Sequence, residues 1–212
     1  GKKNMAKKRL SKLVEQSLVL KPHNMEAYLS IVKLFHEEHA EKCMVIHATG
    51  TGKSYISLQL CKDHPEEPIL FITSTETLRD EFEEKLWIYV PGYRYHPNVT
   101  LVCFSGLKKL SVSDIRYIIV DEAHHLFAPE WKKSYQIILS RNPDAKILGL
   151  TATPIHSESK LNVAEMFFDG YVASRLSLTD AIHRGILPRP YYHLYTWRPS
   201  PDEETGRKAD IQ

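Results

Sequence analysis

Along this chain the apolar residues fall into two rhythms. Five short runs, Cys43–Ile46, Ile69–Ile72, Val99–Phe104, Tyr117–Val120 and Ile147–Leu150, are continuous and rich in Val and Ile. Continuous rather than alternating, they predict strands covered on both faces, as in a parallel sheet. Between them the spacing turns helical. Met25, Leu29, Val32 and Phe35 form one stripe. Leu78, Phe82, Leu86 and Val90 form another, entered through Thr73 and Glu76 in the pattern of a capping box. Further on, Ser177–His183 predicts a short helix and "RPYYHLYTW" a last strand with alternating aromatics. "RPSPDEETGRKADIQ" is polar and aperiodic, as a linker or tail would be. Strands alternating with helices predict βαβ units: an α/β domain, its mostly parallel central sheet flanked by helices on both faces.

Composition sets limits on this picture. With 212 residues, 42% hydrophobic and 25% charged, the chain can bury the core of one domain with appendages. No apolar stretch is long enough for a membrane span, and the N-terminus lacks the apolar centre of a signal peptide, so a cytoplasmic protein is expected. Cys43, Cys61 and Cys103 stand far apart, as buried thiols of a reducing compartment would.

The formal charge of +2 hides an asymmetry. Lys2, Lys3, Lys7, Lys8, Arg9 and Lys12 crowd the start, and without them 22 basic residues face 26 acidic ones, a net charge of −4. The body is therefore no general polyanion binder. The basic start could contact phosphates, or be the solvated face of a short helix or a loose arm. The expected division is a basic arm or helix over 1–20, a domain over 21–196 and a linker over 197–212.

In an open α/β sheet, ligands sit beyond the carboxyl ends of the strands, so the residues after each run matter most. "HATGTGKS" follows the first run, "DEAHH" the fourth and "TATP" the fifth. All three polar groups land on one edge of one sheet. In the first, Gly50 and Gly52 allow a tight turn whose N–H groups converge on phosphate oxygens, with Thr49 and Thr51 in the same loop. Lys53 can reach the β- and γ-phosphates, and the Ser54 hydroxyl can ligate Mg²⁺. The strict phosphate-loop pattern wants glycine where this chain has His47. A plain glycine turn between strand and helix is the other reading.

In the second group, two adjacent acids at the mouth of a buried strand need a cation nearby. Asp121 suits Mg²⁺ and Glu122 suits the activation of a water; alternatively, the acids cap the next helix. His124 and His125 are adjacent, face different ways and have no Cys or His cluster to make a zinc site. In the third, Thr151 and Thr153 offer short hydroxyls and Pro154 ends the strand.

"ATGTGKS", "DEAH" and "TATP", in this order, resemble motifs I, II and III of superfamily 2 helicases and translocases. That family's first motif needs only the TGxGK[ST] core, which accommodates His47. "KPHNMEAY" resembles the upstream "RPYQxEA" element. "LTDAIHRGILPRPYYH" resembles the end of the first motor domain in the ATP-driven subunits of type I and type III restriction enzymes. The resemblance covers residues 21 to 195. It implies a RecA-like ATPase domain with ATP and Mg²⁺ as cofactors: Thr49 to Lys53 on the nucleotide, Ser54 and Asp121 on the metal, Glu122 as base. His124, Thr151 and Thr153 would couple nucleotide state to nucleic acid. Asn24 falls where the family often has an adenine-reading glutamine, although a helix N-cap is an equal reading. Thr73, Ser74 and Ser105 fall where the family touches the nucleic-acid backbone.

Nothing after residue 154 resembles the family's later motifs. The resemblance thus implies the first half of a two-domain DNA helicase or translocase. Its partners would be DNA, a second RecA-like domain of the parent chain, and nuclease or recognition subunits. The late arginines Arg175, Arg184 and Arg189 lie on the segment expected to complete the same sheet. A nucleotide-dependent protein-binding module and an RNA helicase are the alternatives.

Overall fold

A computed structural model of the chain describes residues 8–191. Its centre is a six-stranded sheet in the order β3-β2-β4-β5-β1-β6, with every pairing parallel. The strands are β1 (Lys42–His47), β2 (Ile69–Thr73), β3 (Val99–Cys103), β4 (Tyr117–Asp121), β5 (Lys146–Thr151) and β6 (Val172–Leu176). The helices are α1 (Pro22–His36), α2 (Lys53–Asp63), α3 (Glu76–Tyr89), α4 (Pro129–Arg141), α5 (Val163–Phe167) and α6 (Leu178–His183).

The continuous apolar runs are explained by two cores, one on each face of the sheet. Cys43, Val45, Ile69, Phe71, Tyr117, Ile119, Leu148 and Leu150 pack with α1, α2 and α3. Their neighbours Met44, Ile46, Leu70, Ile72, Ile118, Val120 and Ile147 pack on the other face with α4 and α5. Successive side chains leave a strand on opposite faces, so a strand covered on both sides must be apolar throughout. Each such residue removed from water stabilises the fold by about 1.5–3 kcal/mol before conformational entropy is counted.

Several details differ from the sequence-based expectation. The apolar stripe of α1 is rotated: Ala27, Tyr28, Ile31 and Phe35 are buried, while Met25 and Leu29 are 40% and 58% exposed. Polar His23 and Asn24 occupy the inner face because they serve the neighbouring loop. The cap of α3 is Thr75, whose side chain accepts from the Leu78 N–H at 3.2 Å. Thr73 cannot cap, being the buried last residue of β2. Phe104 begins a 3-10 turn instead of ending β3.

A sixth strand, β6, was not among the five runs. It is an edge strand, only partly buried, and carries Arg175 opposite Ile46. Residues 13–20, within the stretch expected as a basic arm or helix, lie along the domain as a strap. Leu18 and Leu20 enter the core, and the Gln16 N–H donates to Ile88 O at 2.7 Å. Arg9 pairs with Glu84. The "RPYYHLYTW" strand and the linker lie outside the described residues from 192 onward. Cys43, Cys61 and Cys103 are free and buried. Among the described residues no helix is long and apolar enough to cross a membrane.

Candidate nucleotide site

Strands β4, β5 and β1 are neighbours, so their carboxyl ends bring "DEAHH", "TATP" and "HATGTGKS" side by side. The glycine loop leaves β1 and enters α2. Gly50 and Gly52 have φ of 84° and 86°, a left-handed backbone that side chains rarely adopt. A Cβ on Gly52 would also lie 3.1 Å from the Asn24 amide nitrogen.

The loop is braced from three directions. The Thr51 hydroxyl donates back to Ala48 O at 2.8 Å. From α1, His23 Nε2 lies 2.7 Å from Thr51 O, and a carbonyl only accepts, so that nitrogen carries the ring proton. Asn24 Nδ2 donates to Thr51 O at 3.1 Å and to Gly52 O at 3.2 Å. Lys53 Nζ donates to His47 O at 2.9 Å and Ala48 O at 3.3 Å. Lys53 is 9% exposed, and burial lowers its pKa against the opposing pull of Glu122 and Asp121. The Ser54 hydroxyl accepts from Lys85 Nζ at 2.9 Å.

The N-cap reading of Asn24 needs correction. Helix α1 already starts at Pro22, with Lys21 at the cap, so Asn24 sits inside the first turn. Its amide protons are used on the loop, and Oδ1 is sealed from solvent without a partner. It supports the loop through the Thr51 and Gly52 carbonyls. The loop and Asn24 wall an open cavity of about 460 Å³, lined also by Gln16–Val19 of the strap, Lys21, Tyr55 and Tyr89.

At the end of β4 the Asp121 carboxyl is pushed up to about 6, first by burial and then by the charge of Glu122, against the Thr73 hydrogen bond and Lys53. A carboxyl raised this way is relieved by a cation. The oxygen-only donor set of Asp121 and the Ser54 hydroxyl suits a hard ion such as Mg²⁺. Glu122 has φ 52° and ψ 51°, a left-handed conformation unusual for a side-chain-bearing residue. Its carboxylate lies 3.3 Å from His124 Nδ1, which lies 2.9 Å from Thr151 Oγ1. Thr151 Oγ1 accepts from the Thr153 N–H at 3.1 Å. Burial lowers the His124 pKa against the opposing pull of the Glu122 carboxylate. The His125 ring lies 4.4 Å from that of His124 and also packs against Phe104 at 5.6 Å and Trp131 at 5.4 Å.

The outer residues divide. Thr73 is fully buried, and its hydroxyl donates to Asp121 Oδ2 at 3.3 Å, so it faces the acids instead of a nucleic-acid backbone. Ser74 is half-buried and Ser105 exposed, at the carboxyl ends of β2 and β3. Thr49 is exposed in the loop. Arg184 bonds both oxygens of Glu26 at 3.3 Å. Sequence reasoning missed His23 and Lys85. His23 stands beside Asn24 in the quoted "KPHNMEAY" element, whereas Lys85 is brought in by α3 alone.

Known structures share this fold. A search of curated proteins finds no match. Among solved structures, the DNA-bound type ISP restriction-modification enzyme LlaBIII superposes with a TM-score of 0.62 at 15% identity, over 82% of this chain and 16% of its own. The Sulfolobus solfataricus SWI2/SNF2 ATPase core in complex with dsDNA gives 0.56 at 20%, over 74% of this chain and 38% of its own. The UvsW helicase from bacteriophage T4 gives 0.54 at 18%, over 81% and 67%. The chain thus spans about a sixth of the length of LlaBIII. Residues 17–156 match the family described as "Type III restriction enzyme, res subunit", so this chain belongs to that family and has the fold of the first RecA-like domain of a helicase-type, ATP-dependent motor.

Proposed function

We propose that the chain binds ATP with Mg²⁺ and serves as the ATP-hydrolysing half of a DNA helicase or translocase with a DEAH box. One observation carries this reading. The glycine loop with Lys53, the acid pair Asp121–Glu122 and the Thr151–Thr153 turn adjoin on three neighbouring strands, and the His124 bridge joins the last two.

In this reading the loop N–H groups from Gly50 to Lys53 cradle the phosphates at the positive end of α2. Lys53 exchanges its bonds to His47 O and Ala48 O for phosphate oxygens. Ser54 and Asp121 hold the metal, which when bound neutralises phosphate charge. Glu122, steadied by His124, orients the attacking water and takes its proton. The nucleoside lies in the cavity under the strap. Thr49 reaches the nucleotide from the loop's outer edge.

DNA is the favoured nucleic acid because LlaBIII and the SWI2/SNF2 core are described with DNA bound. Ser74 and Ser105 are the contacts offered to its backbone. A second RecA-like domain in a longer parent chain would complete the site with an arginine, and nuclease or recognition subunits would give the motor its task. Without that arginine, isolated hydrolysis is slow: arginine fingers contribute about 10³–10⁵ in rate. Free buried thiols fit a cytoplasmic setting.

The test is titration calorimetry with ATP and Mg²⁺ on the wild type and Lys53→Ala. A loss of about tenfold to a hundredfold is expected from one charge-assisted contact. Equal affinities would remove Lys53 from the site.

A further inference from the structure

Lys85 belongs to α3, yet its ammonium reaches the second residue of α2, donating to Ser54 Oγ at 2.9 Å. It also stands 5.0 Å from the centre of the Tyr55 ring. Tyr55 meets Tyr89 edge-on at 5.8 Å, and both tyrosines line the cavity beside the loop. Among the described residues, Ser54 is the only hydrogen-bond partner of the half-buried Lys85, and no carboxylate pairs with it.

For a structural lysine this is a poor location. The start of α2 already carries free N–H groups, the positive end of the helix and Lys53. Glu122 and Asp121 pull on Lys53, and an incoming anion would give the second ammonium a partner of its own. The Ser54 hydroxyl also has a second claimant, because a metal it ligates would sit next to the Lys85 charge. The long stem of lysine allows the ammonium to move by several ångströms without disturbing α3.

We propose that Lys85 is a second phosphate-binding lysine of this site, holding the Ser54 hydroxyl until nucleotide arrives and then moving to a phosphate oxygen, which frees Ser54 for the metal. The proposal rests on the reading of the loop as a nucleotide site. Its consequence is a metal-dependent role. Metal-free ATP depends on Lys85 because protein cations alone neutralise its phosphates. ATP with Mg²⁺ depends on it less, since the metal supplies that charge and competes with Lys85 for Ser54.

The experiment is ATP titration of the whole chain in EDTA and in saturating Mg²⁺, with wild type, Lys85→Met, Lys85→Gln and Lys85→Arg. Wild type should bind measurably in both buffers. Lys85→Met and Lys85→Gln should each lose about tenfold in EDTA but no more than about twofold with Mg²⁺, while Lys85→Arg stays near wild type. Equal losses in the two buffers would mark a structural role and overturn the proposal. So would unchanged affinity in EDTA, or a wild type that binds only with Mg²⁺. A wild type that binds ATP in neither buffer would instead refute the nucleotide reading and this proposal together.

Discussion

His124 Nδ1 stands 2.9 Å from Thr151 Oγ1, linking the end of β4 to the end of β5. Thr151 is fully buried and also accepts from the Thr153 N–H, so one hydroxyl serves two partners. Thr151→Val keeps the shape but strands both of them. It should cost about 1–2 kcal/mol in urea unfolding, with ATP affinity within about threefold of wild type. In a parent protein carrying both motor domains, it should lower DNA-stimulated turnover far more than basal turnover. Equal effects on the two rates would show that the bridge is structural only.

Glu122 is held in a left-handed backbone conformation, φ 52° and ψ 51°, beside a second acid. Such a conformation costs a residue with a side chain about 1–2 kcal/mol. Glu122→Gly should therefore raise the thermal midpoint, since the relief exceeds the roughly 0.5–1 kcal/mol of added chain entropy. In a parent protein carrying both motor domains, Glu122→Gly and Glu122→Gln should each lower ATP turnover about 10²–10⁴-fold while nucleotide still binds. Near-normal turnover in Glu122→Gln would move the base elsewhere. A lower midpoint for the glycine variant would mean that the strain is absent.

The three loops were legible because their chemistry is local: consecutive residues after a buried strand carry the glycines, the acids and the hydroxyls. The central strands were legible because burial on both faces forces them to be apolar. Strand β6 was not, since an edge strand with partly exposed Val172, Ala173 and Ser174 needs no such run. Nor was the true face of α1. His23 and Asn24 displace Met25 and Leu29 from the interior because the loop carbonyls of Thr51 and Gly52 need donors there. Periodicity counts apolar residues and is blind to polar ones buried for a purpose. Lys85 reaches Ser54 from 31 positions away, a contact that only the packing of α3 on α2 creates.

Gly149 in the middle of β5 has its own reason. A Cβ there would come within 2.4 Å of Phe168 Cζ, and Phe168 is fully buried. The ring lies where a side chain would otherwise project. Gly149→Ala should destabilise the domain by about 1–3 kcal/mol through overpacking. Phe168→Leu alone should also be destabilising, but the double variant should recover part of the loss. Urea unfolding of the four proteins gives the coupling. Simple additivity would mean that the backbone yields and the ring is not the obstacle.

His47, in the position where the strict loop pattern has glycine, gives the fold an acid limit. Its ring is almost wholly buried, with Nε2 2.7 Å from Ser174 Oγ of β6 and Nδ1 without a partner. Burial pushes its pKa down to about 4, helped by His23 from α1, Lys53 of the loop and Arg184 beyond α6. Unfolded, the ring titrates near 6.5. Between these values the unfolded chain binds the proton and the folded chain does not, so stability falls as pH drops from about 6.5 towards 4. At the low end the full shift corresponds to about 3 kcal/mol. Carboxylates titrate in the same range, so the informative quantity is a difference. His47→Gln keeps a polar side chain beside Ser174 but has nothing to protonate. Its thermal midpoint should fall less than that of wild type between pH 7 and pH 4.5, and the two curves should converge or cross. Parallel curves would mean that the buried ring finds a way to carry its proton, and that the acid limit of the fold lies in its carboxylates.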